Sequence, residues 1–315
     1  MTAVAPLTWG TTYAVTTELL PPDKPFLAAA IRALPAGLLL FAVTRQLPQG
    51  AWWWKAALLG ALNIGMFFAL LFIAAHRLPG GVAATIGAVQ PLLVAAMASR
   101  WIGERLTSAK IVAAAVGLAG VALLVLQSQA RLDAVGVAAA LGGTASMAAG
   151  VVLAKKWGQP ATSLAVTSWQ LTAGGLLLVP LALFADGPLP TQLSALNLTG
   201  YAYLSLVGTA LAYALWFRGL QLLPAFSASL LGLLSPVVAT ATGWLILHQQ
   251  LSPGQTAGAL LILGTLVAAN LPRRTTAEPA LAVSRPAARL TTPADSSRAV
   301  NQPGGKPSGK ARKIG

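Results

Sequence analysis

LPGGVAATIGAVQP, Leu78 to Pro91, returns in altered form as LPAFSASLLGLLSP, Leu223 to Pro236. Both stretches open with Leu-Pro, place Gly nine residues after the Leu, and place Pro four residues after that Gly. Adding 145 to any position from Leu78 to Leu126 reaches a counterpart without a gap, and Ala83, Gly87, Pro91, Ala96, Leu106, Ala114, Leu118 and Leu126 all meet identical residues. A weaker match joins Gly10-Thr11 to Gly143-Thr144 and Ala36-Gly37 to Ala173-Gly174. Apolar residues coincide by chance in such a chain, but Pro, Gly and Pro recurring at one offset mark an internal repeat. The chain therefore reads as two halves.

Composition says where those halves reside. Of 315 residues, 56% are hydrophobic and only 9% charged, where a soluble domain carries roughly 25% charged residues. Apolar runs of about 20 residues, enough to cross a bilayer, recur along most of the length. The expected fold is all-α and polytopic, with ten transmembrane helices near 4–20, 25–45, 54–75, 80–101, 108–127, 134–154, 162–184, 198–217, 224–246 and 253–271. Five helices per half is an odd number, so the second half enters the membrane from the opposite side. The halves are then inverted repeats, an arrangement that surrounds a central binding site in many transporters.

Lys and Arg set the orientation. With the N-terminus in the cytoplasm, the inner loops hold Arg45, Lys55, Arg100, Arg105, Lys110, Lys155, Lys156 and Arg218, against Lys24, Arg77 and Arg131 outside. Both termini are thus expected in the cytoplasm, in the cell (inner or plasma) membrane. Residues 273–315 turn to Pro, Ser, Thr, Lys and Arg and read as a basic, disordered cytoplasmic tail. The tail supplies half of the net charge of +14, so that charge points not to nucleic acid but to topology or to anionic membrane lipids.

Pro91 falls about 12 residues into its helix, roughly 16–18 Å along the axis, close to the bilayer midplane, and Pro236 sits at the same depth. A helical proline removes a backbone bond and crowds the carbonyl four residues earlier, here that of Gly87 or Gly232. Freed backbone at this depth is tolerated against protein or a water-filled cavity, so Gly87 with Pro91 and Gly232 with Pro236 read as matched midplane kinks beside a pathway. The alternative is close helix packing at small residues.

Polar and aromatic residues inside the spans are the pathway candidates, because each is costly in lipid. They are Trp9 and Tyr13 in the first helix, Arg32, Asn63, Gln90, Trp169, Gln170, Tyr213 and Trp216. Trp52-Trp53-Trp54 read instead as an interfacial belt. Glu18 and Arg32, on helices joined by a short loop, are close enough along the chain to meet. Such a pair is either a structural ion pair, or a substrate or gate contact (Arg32) beside a protonatable switch (Glu18). Glu104-Arg105 reads as a brace for the turn that follows. The chain has no cysteine, and His76 and His248 lie far apart; neither a metal site nor a cofactor is expected. With no phosphate-binding Gly-rich loop and no nucleophile, acid-pair or metal cluster, an enzyme is not expected either.

Trp9-Gly10-Thr11-Thr12-Tyr13, Arg32, the Leu78-Pro79 opening with Gln90-Pro91, and Gly103-Glu104-Arg105 together resemble the EamA family of the drug/metabolite transporter superfamily. The second half resembles it through Trp169-Gln170, Leu206-Val207-Gly208-Thr209-Ala210 and Leu223-Pro224 to Ser235-Pro236. Thr16-Thr17-Glu18 before Leu20-Pro21-Pro22 is similar to the PecM-like subgroup. His248-Gln249-Gln250 departs from the family pattern, which often keeps a Gly and a polar or acidic residue there. The resemblance implies two EamA repeats, residues 1–127 and 134–272, and export of a small-molecule substrate such as an amino acid, pigment or drug. Uptake, or a membrane scaffold that transports nothing, are the alternatives.

Overall fold

The computed structural model describes residues 1–21, 24–78, 80–125, 133–187, 190, 192–245 and 252–270. The expectations for residues 273–315 and for His248-Gln249-Gln250, and the side chains of Tyr13 and His76, lie outside the described residues. Every regular element among them is helical. Seven helical stretches are long and apolar enough to cross a membrane: Pro25–Thr44, Trp52–Ala74, Ala83–Ile102, Ala134–Trp157, Ser163–Ala185, Ala195–Leu222 and Ala225–Leu245. Ser108–Leu124 and Pro253–Ala269 are shorter apolar helices.

In chain order the first half contains α1 (Val4–Leu19), α2 (Pro25–Thr44), α3 (Trp52–Gly60), α4 (Met66–Arg77), α5 (Gly80–Gly87), α6 (Gln90–Ile102) and α7 (Ser108–Val125). The second contains α8 (Ala134–Trp157), α9 (Ser163–Ala185), α10 (Ala195–Ser205), α11 (Ala212–Leu222), α12 (Ala225–Leu231), α13 (Leu234–Leu245) and α14 (Pro253–Asn270). Two joints between these helices are π-helical: Ala61–Gly65 links α3 to α4, and Leu206–Leu211 links α10 to α11. They begin 145 residues apart, the offset of the sequence repeat.

The prolines of the repeat stand where helices restart. Between α5 and α6 the chain tightens at Ala88 and Val89 into bonds three residues back, Ala88 N–H to Thr85 O at 3.2 Å and Val89 N–H to Ile86 O at 3.1 Å. Between α12 and α13, Gly232 N–H reaches Ser229 O at 3.1 Å and Leu233 N–H reaches Leu230 O at 3.0 Å. Pro91 and Pro236 each follow within the first turn of the next helix, where an amide would lack a helical partner anyway. A Cβ built on Gly87 would meet nothing within 4 Å, so close packing does not require glycine there.

The helices pack by a reciprocal rule. α1 lies against α13 and α11 of the second half, and α8 lies against α6 and α4 of the first. α2 and α9 form the most extensive pairing, and α7 lies on α14. Glycines let these axes approach closely: a Cβ on Gly37 of α2 would sit 2.5 Å from Thr172 N, and one on Gly175 of α9 would sit 2.8 Å from Leu34 Cα. Gly10 of α1 faces the Ser235 carbonyl in the same way, at 2.7 Å.

Burial runs opposite to that of a soluble protein. Asn63, Gln170, Thr167, Ser168 and Thr209 have no exposed surface, while Leu39, Leu177, Leu260 and Phe184 are 44%, 48%, 66% and 90% exposed. So much outward apolar surface is stable only against lipid. The chain is a membrane protein.

Caps across the halves tie both ends. At one end Asp186, the residue after α9, accepts Leu27 N–H at 2.7 Å, and Lys24 donates to the Asp186 carbonyl. At the other, Gly103 in left-handed conformation (φ +72°) closes α6. The turn aims Glu104 at the start of α12, where Oε1 accepts Ala225 N–H at 2.8 Å and Oε2 faces Lys110 Nζ at 3.4 Å. The expected brace at Glu104 therefore spans both halves. Lys155 adds a cation at the carbonyl end of α11, donating to Leu220 O at 3.1 Å and to Leu223 O.

Gly37→Ala should lower thermal stability in detergent, by about 1–3 kcal/mol for overpacking against backbone. Gly264→Ala, whose Cβ meets nothing within 4 Å, should leave the melting temperature unchanged or raise it. Equal melting temperatures for the two variants would contradict the α2–α9 contact.

Candidate transport site

A π-helix widens the i→i−4 ladder by one residue, and single π turns inside α-helices recur at functional sites. Both π segments here present backbone and side-chain polar groups to the opposite half. Gly208 O, in the second segment, accepts Trp9 Nε1–H of α1 at 3.1 Å and Arg32 Nη2–H of α2 at 3.2 Å. Thr209 Oγ1 beside it accepts Arg32 Nε–H at 3.1 Å. In the first segment Leu62 O accepts the Ser146 hydroxyl of α8 at 2.8 Å, and Asn63 Nδ2–H donates to Gln170 Oε1 of α9 at 2.9 Å. Each segment is thus held by the first and second helices of the other half.

Around the second segment the aromatic rings close up. Trp9 lies 5.0 Å from Tyr213 and 5.2 Å from Trp216 between ring centroids, within the range of favourable tilted pairs. Arg32 lies over Phe68 at 4.8 Å, a cation–π contact. Thr11 and Tyr203 share a 2.7 Å hydrogen bond between their hydroxyls. Several buried polar atoms have no hydrogen-bond partner among the described residues: Thr12 Oγ1, Ser205 Oγ, Tyr201 OH, Trp216 Nε1, Asn63 Oδ1 and Gln90 Nε2. Buried polar groups are normally satisfied, so these atoms are hydrogen-bonding capacity left over within the fold.

The structure thus gathers Trp9, Arg32, Tyr213 and Trp216 at the second π segment, and Asn63 with Gln170 at the first. Trp169 stands elsewhere. Its Nε1–H donates to Gln46 O at 2.6 Å and its ring packs on Trp52 at 6.4 Å, so it secures the helix end beside the Trp52–Trp54 run. Trp53 and Trp54 there are exposed, and Lys55 lies over Trp52, Trp54 and Trp157. Ser146, Phe68, Gly208 and Tyr203 were not singled out from sequence as site residues.

The expected pairing of Glu18 with Arg32 does not form. Glu18 is exposed, whereas Arg32 is buried against Gly208, Thr209 and Phe68. A short connecting loop does not make α1 and α2 partners, because α1 packs along α13 and α11 while α2 packs along α9. A hollow of about 230 Å³ lies between α2 and α9, lined by Leu27, Ala30, Ile31, Leu34, Pro35, Val179, Ala182 and Leu183. Its walls include none of the expected pathway residues.

In a double-mutant cycle on thermal stability, Arg32→Gln with Thr209→Val should be non-additive, by about 0.5–1.5 kcal/mol for one shared hydrogen bond. Arg32→Gln with Glu18→Ala should add to within about 0.5 kcal/mol. Coupling of Arg32 to Glu18 instead would contradict the geometry.

Comparison with known proteins agrees with this architecture. Residues 1–126 and 134–271 each match the EamA-like transporter family. Protein PecM of Dickeya dadantii (strain 3937) is 47% identical over 265 residues, covering 84% of this chain and 89% of that protein. The uncharacterized inner membrane transporter YedA of Escherichia coli (strain K12) is 28% identical over 240 residues, covering 75% of this chain and 78% of its own length. A crystal structure superposes with a TM-score of 0.73 at 21% identity, over 85% of this chain and 94% of that one, and shares the fold. The chain belongs to the EamA-like transporter family.

Proposed function

We propose that this chain is a secondary transporter of the cell membrane that moves a small organic solute by alternating access, with export as its net direction. In this reading ten helices form two inverted halves, 1–127 and 134–272, with both termini cytoplasmic. The observation that carries it is the reciprocity of the π segments, each at the same place in its half and each held by the opposite half. Inverted halves pack reciprocally in this way, and rocking of one against the other opens the central region to each side in turn. A scaffold would need neither buried polar joints nor unpartnered polar atoms beside them.

The remaining support is electrostatic and comparative. Arg45, Lys55, Arg100, Arg105, Lys110, Lys155, Lys156 and Arg218 fall at one set of helix ends, which we assign to the cytoplasm. The relative in Escherichia coli bears the name of an inner membrane transporter, consistent with the cell membrane. Export follows the habit of the family that the sequence resembles.

The chain has no cysteine, so single introduced thiols report without background. A Leu27→Cys/Asp186→Cys pair should form a disulfide that shuts the outer end. Cysteine at Ser205, in α10, should then lose labelling by a membrane-impermeant maleimide from outside. Cysteine at Ser229, in α12, should gain labelling from inside. Unchanged labelling at both positions after the outer end is sealed would rule out alternating access.

A further inference from the structure

We propose that Arg32 is the recognition point for an oxyanion on the transported solute, a carboxylate or a phosphate, and that Trp9, Tyr213 and Trp216 receive a flat apolar body beside it. The proposal rests on the transport reading above and adds to it the chemical class of the solute.

Arg32 is a buried cation, 9% exposed, in the middle of a membrane protein. Its partners are all uncharged: a carbonyl at 3.2 Å, a hydroxyl at 3.1 Å and a phenyl ring at 4.8 Å. A guanidinium in such surroundings ordinarily pairs with an acid. Among the described residues none reaches it. The ion pairs there are Arg77 with Asp133 and Lys110 with Glu104, Asp186 accepts Leu27 N–H, and Glu18 is exposed. Of the five guanidinium donors, Nε–H and one Nη2–H have partners among the described residues.

The surroundings share this surplus of donors. Ser205, three residues before Gly208 on the same helical rod, is 6% exposed and carries a hydroxyl with no partner among the described residues. Trp216, 2% exposed, carries an indole N–H with no partner among the described residues and packs at a tilt against Trp9, whose own N–H shares the Gly208 carbonyl with Arg32. Gly208 stands against the guanidinium: a Cβ placed there would lie in van der Waals contact, 4.0 Å from Arg32 Nη2. What the cluster wants is an acceptor bearing negative charge. An oxyanion supplies it, and planar two-point pairing is what a guanidinium offers carboxylate and phosphate in preference to other ligands.

The test uses the full chain in phosphatidylcholine nanodiscs, in chloride-free buffer, with calorimetry and thermal shift. Probes come in matched sets of one body and different heads: 2-naphthoate, 2-naphthyl phosphate, 2-naphthalenemethanol and 2-naphthylmethylamine, and the phenyl and methyl analogues of each. Anionic members should bind and stabilise, with carboxylate and phosphate ranked by the experiment, while alcohols and amines should not. Arg32→Gln should weaken the anion by about ten- to a hundredfold, the loss of a charged hydrogen-bonded contact. Arg32→Lys should restore part of it, and Trp216→Phe should weaken naphthyl probes more than methyl ones. If Arg32→Gln does not fold, Ser205→Ala and Arg32→Lys are measured instead and should each weaken the anions alone. Binding of alcohol or amine as tightly as of anion would overturn the proposal, as would anion binding untouched by these variants or no anion bound at all. Those results would leave the thiol-labelling test of alternating access standing, since that test needs no ligand.

Discussion

The structure depends on backbone groups that a membrane cannot hydrate. Each π segment displaces its helix by one residue, and polar groups of the shifted backbone meet side chains that their own half does not provide. Gly208 and Leu62 find donors on α1, α2 and α8 of the opposite half. In lipid, an unsatisfied carbonyl or amide is too costly to leave exposed. The two halves are therefore obliged to stay together at their centres, whatever their ends do, and much of the remaining architecture accommodates that crossing.

Small residues make the crossing geometrically possible. Gly37, Gly60, Gly174 and Gly175 bring α2, α3, the first π segment and α9 to backbone contact, and Gly10 does the same for α1 against Ser235 of α13. Between apolar helices in an apolar solvent, packing of this kind and hydrogen bonding replace the hydrophobic drive of soluble proteins. Beside them Trp9 packs at a tilt on Tyr213 and Trp216, with centroids 5.0 and 5.2 Å apart.

Much of the helical layout was legible in the sequence because apolar runs and their breaks are written plainly. Pro91 and Pro236 marked the two places where a helix tightens and restarts. The π segments were not legible. A one-residue widening has no composition of its own, and Ala61–Gly65 shares no identical residue with its counterparts 145 further on. The available signal was polarity, Asn63 in one segment and Thr209 in the other. The Glu18–Arg32 pairing misled because closeness along the chain was taken for closeness in space, whereas Arg32 found its partners 176 and 177 residues away. Trp169 shows a different ambiguity of the sequence, since an aromatic with a polar handle serves a helix end as well as it serves a site.

Those separations carry a consequence for synthesis. Trp9 waits for a carbonyl 199 residues downstream, Leu27 for a carboxylate 159 residues downstream, and Arg32 for Gly208. At a ribosomal rate of about 5–20 residues per second, the interval is roughly 10–40 s. Throughout it the first half is without the two oxygen acceptors of Arg32 and without the cap on Leu27 N–H. Its nascent form must be sheltered by water, translocon or a neighbouring protein until the second half arrives, so assembly of this molecule is ordered in time by the same contacts that hold it closed in space.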